Sequence, residues 1–477
     1  MASRGHALAL LVLLALATAA SAGRHHHHHH GHRHGRKSAR LQLIPSAPGA
    51  SLADRARDDR HRHAYIRSTL ASRRRAAEVG ASAFAMPLSS GAYTGTGQYF
   101  VRFRVGTPAQ PFVLVADTGS DLTWVKCRRG GSPDAQAPAP AREFRPAASK
   151  TWEPIACSSD TCTSYVPFSL ANCSTPASPC AYDYRYKDGS AARGVVGTDS
   201  ATIALSSSGG RAGSGAAADS SRRAKLQGIV LGCTASYDGQ SFQSSDGVLS
   251  LGNSNISFAS RAAARFGGRF SYCLVDHLAP RNATSYLTFG PGPEGGAAGS
   301  PSPTSAPAAP EQTPLLLDRR MSPFYAVTVD TIYVAGEALD IPADVWDVDR
   351  SGGAILDSGT SLTILATPAY AAVVEALSRQ LGDLPRVSMD PFEYCYNWTA
   401  GAPEIPKLEV QFAGSATLEP PAKSYVIDAA PGVKCIGVQE GAWPGVSVIG
   451  NILQQEHLWE FDLRDRLLRF KHTRCTQ

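Results

Sequence analysis

Long apolar runs are scarce in this chain of 477 residues. The first, at residues 7–17, is far shorter than the ~20 residues a membrane-spanning helix needs, and no later stretch qualifies, so the sequence offers no membrane anchor. Histidine is nearly absent beyond residue 85, where only His277, His457 and His472 remain. None of these forms a pair at metal-ligand spacing and no Gly-x-Ser-x-Gly elbow occurs. Metallo- and serine hydrolases are thereby disfavoured, and the sequence assigns no metal site and no cofactor. A basic face is missing as well. The formal charge of +6 resides in residues 23–85, which hold 13 Arg/Lys against 4 Asp/Glu; with Arg4 also set aside, residues 86–477 carry −4. A mildly acidic body points away from nucleic acid.

The N-terminal residues compose a signal peptide, 1–22: Met1-Ala2-Ser3-Arg4, the short apolar run, then Ala20-Ser21-Ala22 as an Ala-x-Ala cleavage pattern. Secretion is the default destination, with vacuole or plastid as alternatives. Ten cysteines follow on that oxidising route, so disulfides are expected: Cys127, Cys157, Cys162, Cys173, Cys180, Cys233, Cys273, Cys395, Cys435 and Cys475. The first five crowd between Trp124 and Tyr186, and an odd number requires at least one partner outside that stretch. Asn172, Asn255, Asn282 and Asn397 each head an Asn-x-Ser/Thr sequon. Residues 23–85, rich in Arg, His and Ala with a His run at 25–30, lack the apolar positions of a core and read as a pro-segment, with a modest helix over 53–78.

From Gly97 the pattern changes to short β-type runs punctuated by Gly, Pro and Ser, such as Tyr99-Phe100-Val101-Arg102-Phe103-Arg104-Val105. A helix is expected over 368–381, where Tyr370, Val373, Val374 and Leu377 fall at helical spacing after a proline start. Residues 130–140, 206–225 and 291–312 read as loops, the last disordered.

Two short segments carry the chemistry. Val115-Ala116-Asp117-Thr118-Gly119-Ser120 returns 240 residues later as Ile355-Leu356-Asp357-Ser358-Gly359-Thr360. In each, an apolar strand ends in an acid held in a tight turn with a glycine and two hydroxyl residues. Their flanks match too, Ser120-Asp121-Leu122-Thr123 paralleling Thr360-Ser361-Leu362-Thr363, so the chain contains an internal duplication.

In these motifs, from Gly97 onward, the chain resembles the pepsin-like aspartic proteases, in particular the plant nepenthesin-type branch. The resemblance implies an all-β fold with a few short helices, two lobes related by a pseudo-twofold axis, and a cleft between them. The implied divisions are an N-terminal lobe, 86–290, with a cysteine-rich insertion; a flexible join, 291–322; and a C-terminal lobe, 323–477. Asp117 and Asp357 would be the catalytic pair of an endopeptidase made as a zymogen, supported by Thr118, Gly119, Ser120, Ser358, Gly359 and Thr360. Ser120 and Thr360 would bond the outer carboxylate oxygens, and Thr118 and Ser358 would brace the loops. A hairpin flap would carry Tyr186, paired with Trp124, and a tip of Lys187, Asp188 and Gly189. Cys395 would pair with Cys435. Val448-Ile449-Gly450 fits the segment threaded beneath one Asp loop, whereas Val248-Leu249-Ser250 puts Ser250 where glycine is usual, a departure expected to bear on efficiency; Lys187, where a small residue is common, is a second. The implied partners are polypeptide substrates and pepstatin-type inhibitors, acting on a monomer. A non-catalytic relative of the xylanase-inhibitor or glucan-binding type is the alternative.

Overall fold

The computed structural model describes Asp59 and residues 84–90, 97–128, 142–166, 175–185, 191–204, 223–239, 242, 244–279, 284–290, 309–398 and 403–475. These are mostly β-strand. Among them, α-helices occur at Asp160–Ser164, Phe258–Arg265 and Thr367–Gln380. The last begins with proline in its first turn and buries Val373, Val374 and Leu377, the apolar face the sequence periodicity marks.

The duplication in sequence is a duplication in topology. The strand Gln110–Asp117 runs parallel to Gly247–Ser250, and Trp124–Lys126 pairs antiparallel with that same short strand and parallel with Arg223–Asp238. The second half repeats this arrangement: Ala354–Asp357 is parallel to Ser447–Gly450, while Thr363–Ala366 is antiparallel to it and parallel to Val438–Gly441. Both Asp-bearing strands lie inside their halves, and accordingly read as continuous apolar runs rather than alternating ones.

Backbone pairing also joins the halves. Arg269–Cys273, from the first half, pairs with His457–Asp462, which pairs in turn with Leu467–His472. Phe270 stacks on Phe461 at 4.7 Å between centroids, and Tyr325 sits 4.9 Å from Phe461. Phe84–Ser90 inserts between Thr284–Phe289 and Tyr99–Val105 in the same sheet.

The second part of the expected join, 291–322, holds regular structure. Glu311–Pro314 is a strand paired with Leu467–His472, Thr313 and Leu315 are buried, and Arg319–Met321 forms a turn of 3-10 helix. The Leu315-Leu316-Leu317 run supplies core side chains that the Pro/Gly/Ala composition just before it obscures; residues 291–308 lie outside the described residues. The strand Arg223–Asp238 likewise begins inside the expected loop 206–225.

Four disulfides are described: Cys127–Cys233, Cys162–Cys180, Cys273–Cys475 and Cys395–Cys435. Cys127 reaches outside the cysteine-rich stretch, which resolves its odd count. Cys157 is disulfide-bonded as well, and Cys173 lies outside the described residues. Of the sequons, Asn397 is exposed and Asn255 half-buried; Asn172 and Asn282 lie outside, as does the expected helix over 53–78 apart from the helical Asp59.

Candidate active site

Each acid ends a buried strand, and the turn after it folds back on the carboxylate. Asp117 is 2% exposed and Asp357 is fully buried. The Gly119 amide donates to Asp117 Oδ1 at 3.0 Å, and the Gly359 amide to Asp357 Oδ1 at 2.8 Å. Such local amide-to-carboxylate bonds set the rotamer of each acid. Thr360 Oγ1 donates to Asp357 Oδ2 at 2.7 Å. Its counterpart Ser120 lies 3.4 Å from the Asp117 carbonyl, a long contact that steadies the turn backbone.

The two turns are tied to each other reciprocally. The Thr118 amide donates to Ser358 Oγ (3.0 Å) and the Ser358 amide to Thr118 Oγ1 (2.9 Å). Each hydroxyl then donates onward across the axis, Thr118 Oγ1 to the Leu356 carbonyl (3.1 Å) and Ser358 Oγ to the Ala116 carbonyl (2.9 Å). These four buried bonds connect the residues flanking Asp117 to those flanking Asp357, so neither carboxylate can move without its partner's loop.

Beneath the loops the halves solve one packing problem differently. The Leu251 and Gly252 amides bond the Asp117 and Ser120 carbonyls, whereas the Asn451 and Ile452 amides bond those of Thr360 and Ser361. A Cβ on Gly450 would lie 2.5 Å from the Leu362 carbonyl carbon and oxygen, so only glycine fits. Ser250 has room: its Oγ meets Thr123 Oγ1 at 2.8 Å and accepts from the Phe258 amide at 3.1 Å. The departure from glycine there adds bonds at the start of the helix Phe258–Arg265.

Asp121 stands out in the sequence only as a flank of the first motif. Its side chain is buried, accepts from the Tyr184 hydroxyl at 3.3 Å, and is hydrogen-bonded by its own amide and that of Leu122. Burial pushes its carboxyl from the ordinary 3.8 up to about 7; these bonds oppose the shift, and the Asp117 charge adds to it. The signal available in sequence is an acid set between Gly-Ser and the apolar Leu-Thr-Trp-Val run. Folding therefore favours the protonated form, and this group's contribution to stability falls as pH rises from 3.8 to about 7, then levels off. Asp121→Asn is expected to flatten that slope: in calorimetric melts across this window its melting temperature should drop less than that of the unmodified chain. An equal drop would refute the assignment.

Tyr272, also missed, donates to Gln454 Oε1 at 2.6 Å; burial first, then the Asp357 charge, drive its phenol well above the usual range. Trp124 is fully buried and packs edge-to-face on Phe242 at 4.8 Å. Ala181–Arg185 pairs antiparallel with Ala191–Ala204, while Tyr186, Lys187, Asp188 and Gly189 lie outside the described residues.

The chain is similar to known proteins along most of its length. Two family models match, Xylanase inhibitor N-terminal over residues 99–291 and Xylanase inhibitor C-terminal over residues 324–472. Aspartyl protease family protein 2 of Arabidopsis thaliana is 32% identical over 82% of this chain and 74% of that protein. Aspartic proteinase nepenthesin-2 of Nepenthes gracilis is 30% identical over 80% of this chain and 79% of its own length. Among solved structures, edgp matches with a TM-score of 0.62 and 21% identity, covering 84% of this chain and 98% of that one. Basic 7S globulin from soybean matches with 0.57 and 20%, covering 83% and 96%. Likeness to structures at those identities establishes the fold alone. With the family models spanning both halves and the duplicated Asp turns tied at their centre, the chain belongs to the plant pepsin-like aspartic protease family.

Proposed function

We propose that the chain is an aspartic endopeptidase acting at acid pH, with Asp117 and Asp357 as its catalytic pair. The observation that carries this reading is the reciprocal bonding of Thr118 and Ser358, which fixes two buried acids on matching turns. Two adjacent carboxylates resist ionising together, so the pair holds one proton between them and titrates as a unit. The ionised member takes a proton from a water, which attacks the scissile carbonyl. The protonated member donates a hydrogen bond to that oxygen as it becomes tetrahedral. No covalent intermediate forms. Tyr186, steadied by Trp124, closes over an extended polypeptide, and the basic segment 23–85 keeps the precursor latent until it is removed on the secretory route.

A second reading, a non-catalytic binding protein, draws on the Xylanase inhibitor description of the matching family models. Incubation with a denatured protein at acid pH separates the two: the enzyme releases peptides, and pepstatin stops it. No cleavage by the fully processed chain at any pH from 2 to 7, the range spanned by carboxyl titration, would favour the binder.

A further inference from the structure

The duplicated turns differ in one respect that has a structural answer elsewhere in the chain. In the first half, the amides of Asp121 and Leu122 are hydrogen-bonded to a carboxyl that the turn itself carries, that of Asp121. Ser361 and Leu362 occupy the matching positions in the second half, and serine has no carboxyl to offer. Both residues are nonetheless buried, where an unmet amide is costly. Their partner is Asp59. The Ser361 amide donates to Asp59 Oδ1 at 3.2 Å and the Leu362 amide to Asp59 Oδ2 at 2.9 Å, one donor for each oxygen. Asp59 is 5% exposed, and a carboxylate sequestered this far needs such bonds to its charge. It comes from 302 residues earlier in the chain, within the basic segment.

We propose that the paired amides of Ser361 and Leu362 are a carboxylate-binding site, and that Asp59 is its intramolecular ligand, supplying from the N-terminal segment the group that Asp121 supplies from within the first turn. The contact lies four and five residues beyond Asp357, so Asp59 is held on the very loop that carries the second acid. The site selects for a carboxylate because two converging N–H donors match two oxygens, and an amide side chain can satisfy only one of them. Removing the segment uncovers both donors, a change the first turn never undergoes. The inference goes beyond the protease reading and does not rest on hydrolysis.

The test uses the full chain with Asp117→Asn, to prevent self-cleavage, and follows backbone hydrogen exchange by mass spectrometry at neutral pH. Adding Asp59→Asn is expected to speed exchange at Ser361 and Leu362 by about tenfold or more, with no change at Asp121 and Leu122. Further adding Ser361→Asp recreates the first-half arrangement and is expected to restore slow exchange at Leu362. Should Asp59→Asn fail to fold, Ser361→Asp alone serves: it is expected to expel Asp59, so that trypsin cuts after Arg57 and Arg60 about tenfold faster while Leu362 stays protected. Unchanged exchange on losing Asp59, no restoration by Ser361→Asp, or unchanged trypsin cleavage in Ser361→Asp would each overturn the proposal. A chain that passes these tests yet cuts no peptide once processed would leave the site standing and defeat the protease reading instead.

Discussion

Asp357→Asn is expected to lower kcat/KM for an acid-pH peptide substrate by roughly 10³-fold or more, the order that loss of a general acid–base group costs. Asparagine keeps the volume of the side chain and an oxygen for the Gly359 amide, so the turn survives. On the proposed mechanism what it removes is the shared proton: one acid and one amide cannot exchange the roles of base and donor within a cycle. Asp117→Asn should be as damaging, and the double variant little worse than either, if the two groups act as one device, as proposed. Melting temperatures should stay close to that of the parent, which separates lost chemistry from lost fold. Retention of activity within about tenfold in either single variant, checked by steady-state kinetics, would remove that residue from the reaction.

The second large effect is structural and sharply one-sided. Gly450→Ser is expected to destabilise the chain by about 3 kcal/mol or more, because the new Cβ would meet rigid backbone at 2.5 Å rather than a side chain that can yield. The backbone it meets is that of Ser361 and Leu362, so relief by movement would unseat the Asp357 turn. The mirror-image change, Ser250→Gly, opens space and forfeits the bonds to Thr123 and the Phe258 amide, a loss of about 1–2 kcal/mol. Chemical denaturation midpoints of the two variants measure the contrast. Equal costs would mean that the halves are packed alike and that the serine is incidental.

The two Asp turns were legible in the sequence because they repeat: one Asp-Thr-Gly is a common turn, but a second copy with matching flanks constrains both. The strand around Tyr99 and the helix through Val373 were legible from local periodicity, which is set by the chain itself. Legibility ended where the meaning of a residue depends on a distant one. Ser250 looked like a defect in its motif, and only the placement of Thr123 and Phe258 shows it fully bonded. Asp121 read as a polar flank, since its unusual carboxyl comes from burial beside Tyr184 and Asp117. Glu311–Pro314 was hidden by the composition preceding it, and its strand partner lies more than 150 residues downstream. Nothing near Asp59 announces a role, because its donors belong to the other end of the chain.

The pairing of Arg269–Cys273 with His457–Asp462, together with the Cys273–Cys475 bridge, has a further consequence. A protease nick anywhere in 291–308 would sever the polypeptide but release neither piece. The product would be a two-chain molecule, covalently linked through one cystine and zippered along a common ladder, that runs as two bands only on a reducing gel. Each piece expressed separately would instead display an uncapped edge and an orphan thiol, the hallmarks of a fragment that self-associates.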